Sequence, residues 1–191
     1  GGLADVIRVP ERALACITPS AREIAPPLLA LAEPLSCCLR ARTRLPITST
    51  SRVLILGTGP IGLIHCALAA AAGASVMACG RPARLDPALA LGASTVTASQ
   101  GDELVATVRE WSGGAGADVV IIAVGDPGLV PIAAQCTAIG GYISCFAGFP
   151  AGTLAQIDPN LIHYRELTIS GSANATLEDY AAAVATLSTG A

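Results

Sequence analysis

Apolar residues in this chain fall into short blocks whose spacing changes along its length. From Arg52 onward, brief runs rich in branched aliphatics alternate with longer Ala- and Leu-containing stretches bounded by Gly, Asp and Ser. The brief runs predict strands over Arg52–Leu56, Ser75–Cys79, Thr95–Thr97, Asp118–Val124, Tyr142–Phe146 and Glu166–Ser170. The longer stretches predict helices over Ile61–Ala72, Ala83–Leu91 (interrupted at Pro87), Asp102–Trp111, Leu129–Ala138, and from Thr176 to about Ser188. Gly140-Gly141 reads as the turn after the fourth of these helices. Strands alternating with helices in this way predict an α/β fold, a doubly wound parallel sheet of six strands.

The segment before Arg52 has a different texture. Leu3–Pro10 shows partial strand alternation, and Ala13–Ile17 reads as a second short strand closed by Pro19. Two short strands cannot bury a core of their own. They are expected to pack on something absent from this chain or on the domain that follows. Leu28 to about Arg44 reads as a connecting helix with Arg40, Arg42 and Arg44 towards its C-terminus, where the helix dipole favours cations. A polar loop, Leu45–Ser51, follows. The expected division is residues 1–32 as the remnant of a β-rich domain, 33–48 as connecting helix and linker, and 49–191 as the doubly wound domain.

The first predicted strand runs directly into Gly57-Thr58-Gly59-Pro60-Ile61-Gly62, and a helix follows at once. The spacing G-x-G-x-x-G between a strand and a helix is what a dinucleotide-binding turn needs. Gly57 permits the tight turn, Gly59 lets the backbone approach a pyrophosphate, and Gly62 lets the helix pack closely on the strand. The helix N-terminus then aims its N–H groups and positive dipole end at the phosphates. A Gly-rich turn without a ligand is the competing reading of the same spacing. In a parallel sheet ligands bind beyond the carboxyl ends of the strands, so Val124-Gly125 and Phe146-Ala147-Gly148 should lie on the same rim as the glycine turn.

Cofactor choice should be decided at the end of the second strand. NAD-binding folds usually carry Asp or Glu about 20 residues beyond the glycines, where it holds the ribose hydroxyls. Here Gly80 stands in that region, followed by Arg81 and Arg84. The missing carboxylate removes repulsion of a 2′-phosphate, and a guanidinium can bind one bidentately. NADP is therefore expected in preference to NAD.

Composition narrows the classes of function. Apolar residues make up 52% of the chain and aromatics only 3%, so the core must be aliphatic. All eleven basic residues are Arg, the net charge is −3, and no basic cluster appears, which argues against nucleic-acid binding. The seven Cys form no C-x-x-C pair and read as buried free thiols in a reducing compartment, so a cytoplasmic location is expected. Pro60–Gly80 is uncharged and about long enough to span a bilayer, but it starts in the glycine turn and breaks at Gly73. It is read as a buried helix and strand, with no membrane partner.

Taken together, Gly2-Leu3-Ala4-Asp5, Ala32-Glu33-Pro34-Leu35-Ser36, Gly57–Gly62, Leu91-Gly92-Ala93, Gly116-Ala117-Asp118-Val119-Val120 and His163-Tyr164-Arg165-Glu166-Leu167 resemble the cofactor half of the zinc-type medium-chain alcohol and polyol dehydrogenases, the group that includes sorbitol and threonine dehydrogenases. The resemblance implies a Rossmann domain and hydride transfer between a secondary alcohol and NAD(P), assisted by zinc in the full-length protein. It also implies a small-molecule alcohol substrate and a homo-oligomer, with pairing through the edge of the sixth strand, Leu167–Ser170. By the same resemblance, Glu33 lies at the catalytic zinc as a ligand or water-mediated neighbour, with the other ligands outside this chain; the competing reading is an ordinary acidic residue at a helix start, stabilised by the dipole. The chain alone is then expected to be inactive, and its catalytic residues are unknown. Leu45–Thr50 departs from the family's usual Pro-Gly-Asp entry to the first strand. That departure leaves open a non-catalytic nucleotide-binding module or pseudoenzyme, and a zinc-free quinone or enoyl reductase is a third reading.

The remaining candidates are read as structural. His65 is expected to be a packed or surface residue inside the first helix, His163 a packing residue, and Asp118 a turn residue at a strand start.

Overall fold

A computed structural model describes residues 5–20 and 23–189. Of the N-terminal stretch named above, Gly2-Leu3-Ala4 lies outside the described residues. Residues 6–10 form no strand, and Ala13–Ile17 is not the expected strand either: Glu11–Cys16 is a 3-10 helix. Its backbone bonds are local, Ala13 N–H to Pro10 O and Ile17 N–H to Leu14 O. With no neighbouring strand among the described residues, a local turn satisfies these groups.

The rest builds one sheet. Helices α1 (Pro26–Leu29) and α2 (Ala32–Arg42) lead into β1 (Arg52–Leu56), α3 (Pro60–Ala71), β2 (Ser75–Cys79), α4 (Leu85–Ala90), β3 (Thr95–Thr97) and α5 (Gly101–Trp111). Then follow β4 (Ala117–Ile122), α6 (Leu129–Cys136), β5 (Thr137–Cys145), α7 (Pro159–Tyr164), β6 (Thr168–Gly171) and α8 (Leu177–Thr189). The six strands are all parallel, in the order β3-β2-β1-β4-β5-β6. That is the doubly wound Rossmann arrangement, and its order reverses between β1 and β4.

The period of two along each strand divides the core between the two faces. Leu54, Leu56, Val120 and Ile122 join Leu104 and Val108 of α5 and Ala133 of α6. Val53, Ile55, Val119 and Ile121 join Cys66 and Ala69 of α3 and Ala88 of α4. These strand side chains are essentially fully buried. Each contributes about 1.5–3 kcal/mol by leaving water, which is why the central strands read as unbroken apolar runs.

Three expectations need correcting here. Pro87 does not interrupt α4, because it lies in the helix's first turn, where a missing N–H costs nothing; a 3-10 turn, Pro82–Arg84, precedes it. Gly140-Gly141 is not a turn between elements but lies within β5, where the register against β4 shifts between Ala117 and Val119. Finally, the loop before β6 contains α7, begun by Asp158, whose Oδ1 accepts from Asn160 N–H at 2.9 Å.

Helix α2 packs on α8: Ala32 and Leu35 meet Ala183, Val184 and Leu187. Arg40 pairs with Asp179 at 3.4 Å, and Arg44 Nη1 donates to Gly171 O at 2.7 Å. These contacts hold α2 against α8 and bring Arg44, just past the end of α2, to the carboxyl end of β6.

Candidate functional site

The carboxyl ends of the strands are tied together by backbone hydrogen bonds that continue the sheet into its loops. Gly57 N–H donates to Cys79 O at 2.8 Å, Gly80 N–H to Thr97 O at 3.0 Å, and Ala123 N–H to Leu56 O at 2.8 Å. Phe146 and Ala147 both donate to Ile122 O, at 3.2 and 3.0 Å. The loops of this rim are therefore positioned by the sheet.

The glycine turn sits at its centre. Gly57 has φ of +112°, a conformation that disfavours side chains. A Cβ at Gly62 would run into Gly57 O, so the start of α3 lies directly on the turn. Gly59 is the N-cap of α3 and Pro60 its first residue, and no side chain caps the first-turn N–H groups. A Cβ at Gly59 would meet only Arg84 Nη1, at 3.7 Å. The cradle above Gly59 is thus open, with a guanidinium over it.

Two clefts flank this turn. One, of about 650 Å³, is lined by Gly57, Thr58, Gly59, Gly80, Arg81, Arg84 and Val124 among the expected residues. It also takes Ser99, Gln100 and Asp126, which the sequence did not single out. The other, of about 730 Å³, brings together Glu33, Ile61, Phe146, Ala147 and Gly148. It adds Cys37, Arg44, Ser172 and Asn174. Pro60, Gly62 and Gly125 line neither cleft. Gly125 instead holds two loops close, since a Cβ there would come within 2.5 Å of Gly148 O.

Glu33 is exposed at the mouth of the second cleft, and its Oε1 accepts from Cys37 Sγ at 3.6 Å. Among the described residues no group of three or more His, Cys, Asp or Glu could hold a metal ion. Beneath this cleft lies His65, 2% exposed, with its ring edge-on to Phe146 at 4.6 Å and Nε2 without a partner. Burial pushes its pKa down to about 4, so the imidazole is neutral and acts as a packing group.

His163 does not pack as expected. It is exposed, with its ring against Tyr164 at 4.7 Å. Asp118 is not a turn residue but lies within β4, paired with Arg52 at 2.9 Å. All seven Cys are free thiols; Cys38, Cys66 and Cys136 are buried, whereas Cys16 is exposed. Burial raises the Cys38 and Cys136 thiols to about 12, leaving them unreactive. No helix among the described residues is long and apolar enough to cross a membrane.

Residues 60–189 match a family model described as zinc-binding dehydrogenase. The chain is 34% identical to the L-galactonate-5-dehydrogenase of Escherichia coli (strain K12) over 182 residues, covering 95% of this chain and 52% of that protein. It is also 34% identical to the (R,R)-butanediol dehydrogenase of Bacillus subtilis (strain 168) over 144 residues, covering 74% of this chain and 41% of that one. A zinc-binding dehydrogenase from Sinorhizobium meliloti 1021, solved bound to NADP, superposes with a TM-score of 0.78 at 30% identity, over 88% of this chain and 52% of that one. The chain thus spans about half the length of the relatives it matches.

Proposed function

The chain belongs to the zinc-binding dehydrogenase family, and on that premise we propose that it is the cofactor-binding part of an oxidoreductase that moves hydride between a secondary alcohol or polyol and NADP. The observation that carries this reading is the open cradle at Gly59 beneath Arg84, set on the uncapped start of α3. In it Gly57–Gly62 would hold the pyrophosphate, and Gly80 with Arg81 would face the 2′-phosphate. Val124, Gly125, Phe146, Ala147 and Gly148 would border the nucleoside and nicotinamide. Bound NADP supplies the hydride acceptor, while the chain's own residues bind and orient it. The Sinorhizobium relative, solved with NADP, supports the choice of cofactor.

The described residues fit a dinucleotide but not a zinc ion, for which three protein ligands are usual. Glu33 is proposed as one ligand, with the others in the half of the relatives' length that this chain does not span. The same reading treats residues 1–32 as belonging to that second domain, and the exposed Val6, Ile7, Leu14 and Ile17 are consistent with it. Pairing of two copies through the open edge of β6, where Ile169 is partly exposed, is part of the proposal.

Titration of the 191-residue chain with NADPH, followed by nicotinamide fluorescence, tests the reading. Saturable binding, tighter than that of NADH, is expected. A chain that is folded by circular dichroism yet binds neither cofactor overturns it.

A further inference from the structure

Thr58 stands between the first two glycines of the turn, yet its side chain does not face the open cradle. It is 3% exposed, and its Oγ1 is buried without a hydrogen-bond partner. What it touches is Gly80. A Cβ added at Gly80 would fall on Thr58 Oγ1 and come within 2.7 Å of its Cγ2 and 2.8 Å of its Cβ. Turning χ1 cannot clear this overlap, because the Thr58 Cβ is fixed by the backbone. Nor can the two turns drift apart freely, since Gly57 N–H is bonded to Cys79 O and Gly80 N–H to Thr97 O.

We infer that Thr58 is a specificity-determining residue: by filling the space beside Gly80, it keeps the end of β2 free of any side chain, including the carboxylate that would select NAD. This inference rests on the NADP reading above and adds to it the device that enforces it. A carboxylate at position 80 would hold the ribose 2′-hydroxyl and repel a 2′-phosphate. With Thr58 in place that position is closed. The charged residues left lining the cleft are Arg81, Arg84 and Asp126, and Asp126 Oδ1 already accepts from Gly128 N–H at 2.9 Å. Two positions on different loops therefore act as one unit, and changing cofactor preference requires changing both.

The test is a pair of double-mutant cycles on the 191-residue chain. The first needs no cofactor. Gly80→Ala adds only a Cβ at a residue without positive φ, so in open space it would be neutral or stabilising. We expect it to lower the melting temperature, and Thr58→Gly/Gly80→Ala to melt close to Thr58→Gly alone. The second cycle reads preference. Gly80→Asp should weaken NADPH and NADH alike, by about tenfold or more, whereas Thr58→Gly/Gly80→Asp should bind NADH more tightly than NADPH. Gly80→Ala melting like the parent chain, or Gly80→Asp reversing preference without any change at Thr58, overturns the inference. If the parent chain binds neither cofactor, the functional reading fails, and the melting cycle still decides whether Thr58 closes position 80.

Discussion

Arg52 and Asp118 clamp β1 to β4 at the end of the sheet opposite the clefts. Arg52 N–H and Nε donate to Asp118 Oδ2 at 2.7 and 3.1 Å, and Nη2 donates to Oδ1 at 2.9 Å. Burial alone would raise the Asp118 carboxyl, but hydrogen bonds from the Arg52 side chain and backbone outweigh it and hold the group below the usual carboxylate range. A carboxyl depressed in the folded state contributes stability that is complete above its unfolded value of about 3.9 and is lost as pH falls through the folded value. Both side chains are about one-third exposed, so solvent screening limits the effect. Asp118→Asn should cost about 1 kcal/mol at pH 7 in urea denaturation. That difference should shrink below pH 4; a constant difference down to pH 2 would contradict the pairing.

His65 has the opposite chemistry with the same sign. Its folded pKa is lowered by burial from 6.5 to about 4, so the folded state resists protonation that the unfolded chain accepts. Stability is therefore full above pH 6.5 and falls between pH 6.5 and 4. At about 1.4 kcal/mol per unit, the loss is on the order of 3 kcal/mol. Nε2 has no partner to lose, so His65→Leu keeps the contact with Phe146 and removes the titration. The variant should match or exceed the parent chain in melting temperature at pH 7 and should lose much less between pH 6.5 and 4. A parallel decline in both proteins would assign the acid sensitivity to other groups.

Three strands are legible because their chemistry is local. The expected bounds of Arg52–Leu56 and Ser75–Cys79, mostly apolar runs, and of the β-branched edge strand Thr95–Thr97 match the observed ones. The helix α7 carried its own signal, Asp158 before Pro159, a capping residue ahead of a proline at the first helical position; its shortness hid it. The 3-10 helix at Glu11–Cys16 has an apolar spacing that mimics a strand, and among the described residues no strand pairs with it. At the site, the glycine turn and Gly80 were legible from spacing. Asp126, Ser172 and Asn174 were not, because they come from loops that only the folded sheet brings to the rim. The contact of Thr58 with Gly80 depends on a distance between two loops, and no linear pattern encodes it.

Gly59 and Gly62 belong to one motif but do different work. A methyl at Gly62 has no room, because Gly57 O occupies it. Gly62→Ala must push α3 off the turn, an overpacking cost of about 1–3 kcal/mol. A methyl at Gly59 meets only Arg84 Nη1, at 3.7 Å, and φ there is −77°. Gly59→Ala should therefore melt within about 0.5 kcal/mol of the parent chain, as surface substitutions do. It should nevertheless weaken NADPH by about tenfold or more, since the methyl occupies the cradle. Equal melting losses in the two variants would mean that the cradle is not open as described.

Arg81 and Arg84 are both exposed, and the proposed binding mode would give them different phosphates. Arg84 Nη1 lies over Gly59, where the pyrophosphate common to both coenzymes would sit. Arg81 follows Gly80 at the end of β2, where in the proposed mode the 2′-phosphate found only on NADP would sit. A charge-assisted hydrogen bond is worth about 1.5–3 kcal/mol when made well, and less at exposed sites. Arg84→Ala should therefore weaken NADPH and NADH by similar factors, about fivefold to tenfold, and flatten the salt dependence of both. Arg81→Ala should weaken NADPH by about tenfold and leave NADH nearly unchanged. Titrations of both variants with both coenzymes at low and high salt separate the two roles. If Arg81→Ala lowered both affinities equally, the 2′-phosphate would have to be held elsewhere, and the exposed guanidinium beside Gly80 would have no part in choosing the coenzyme.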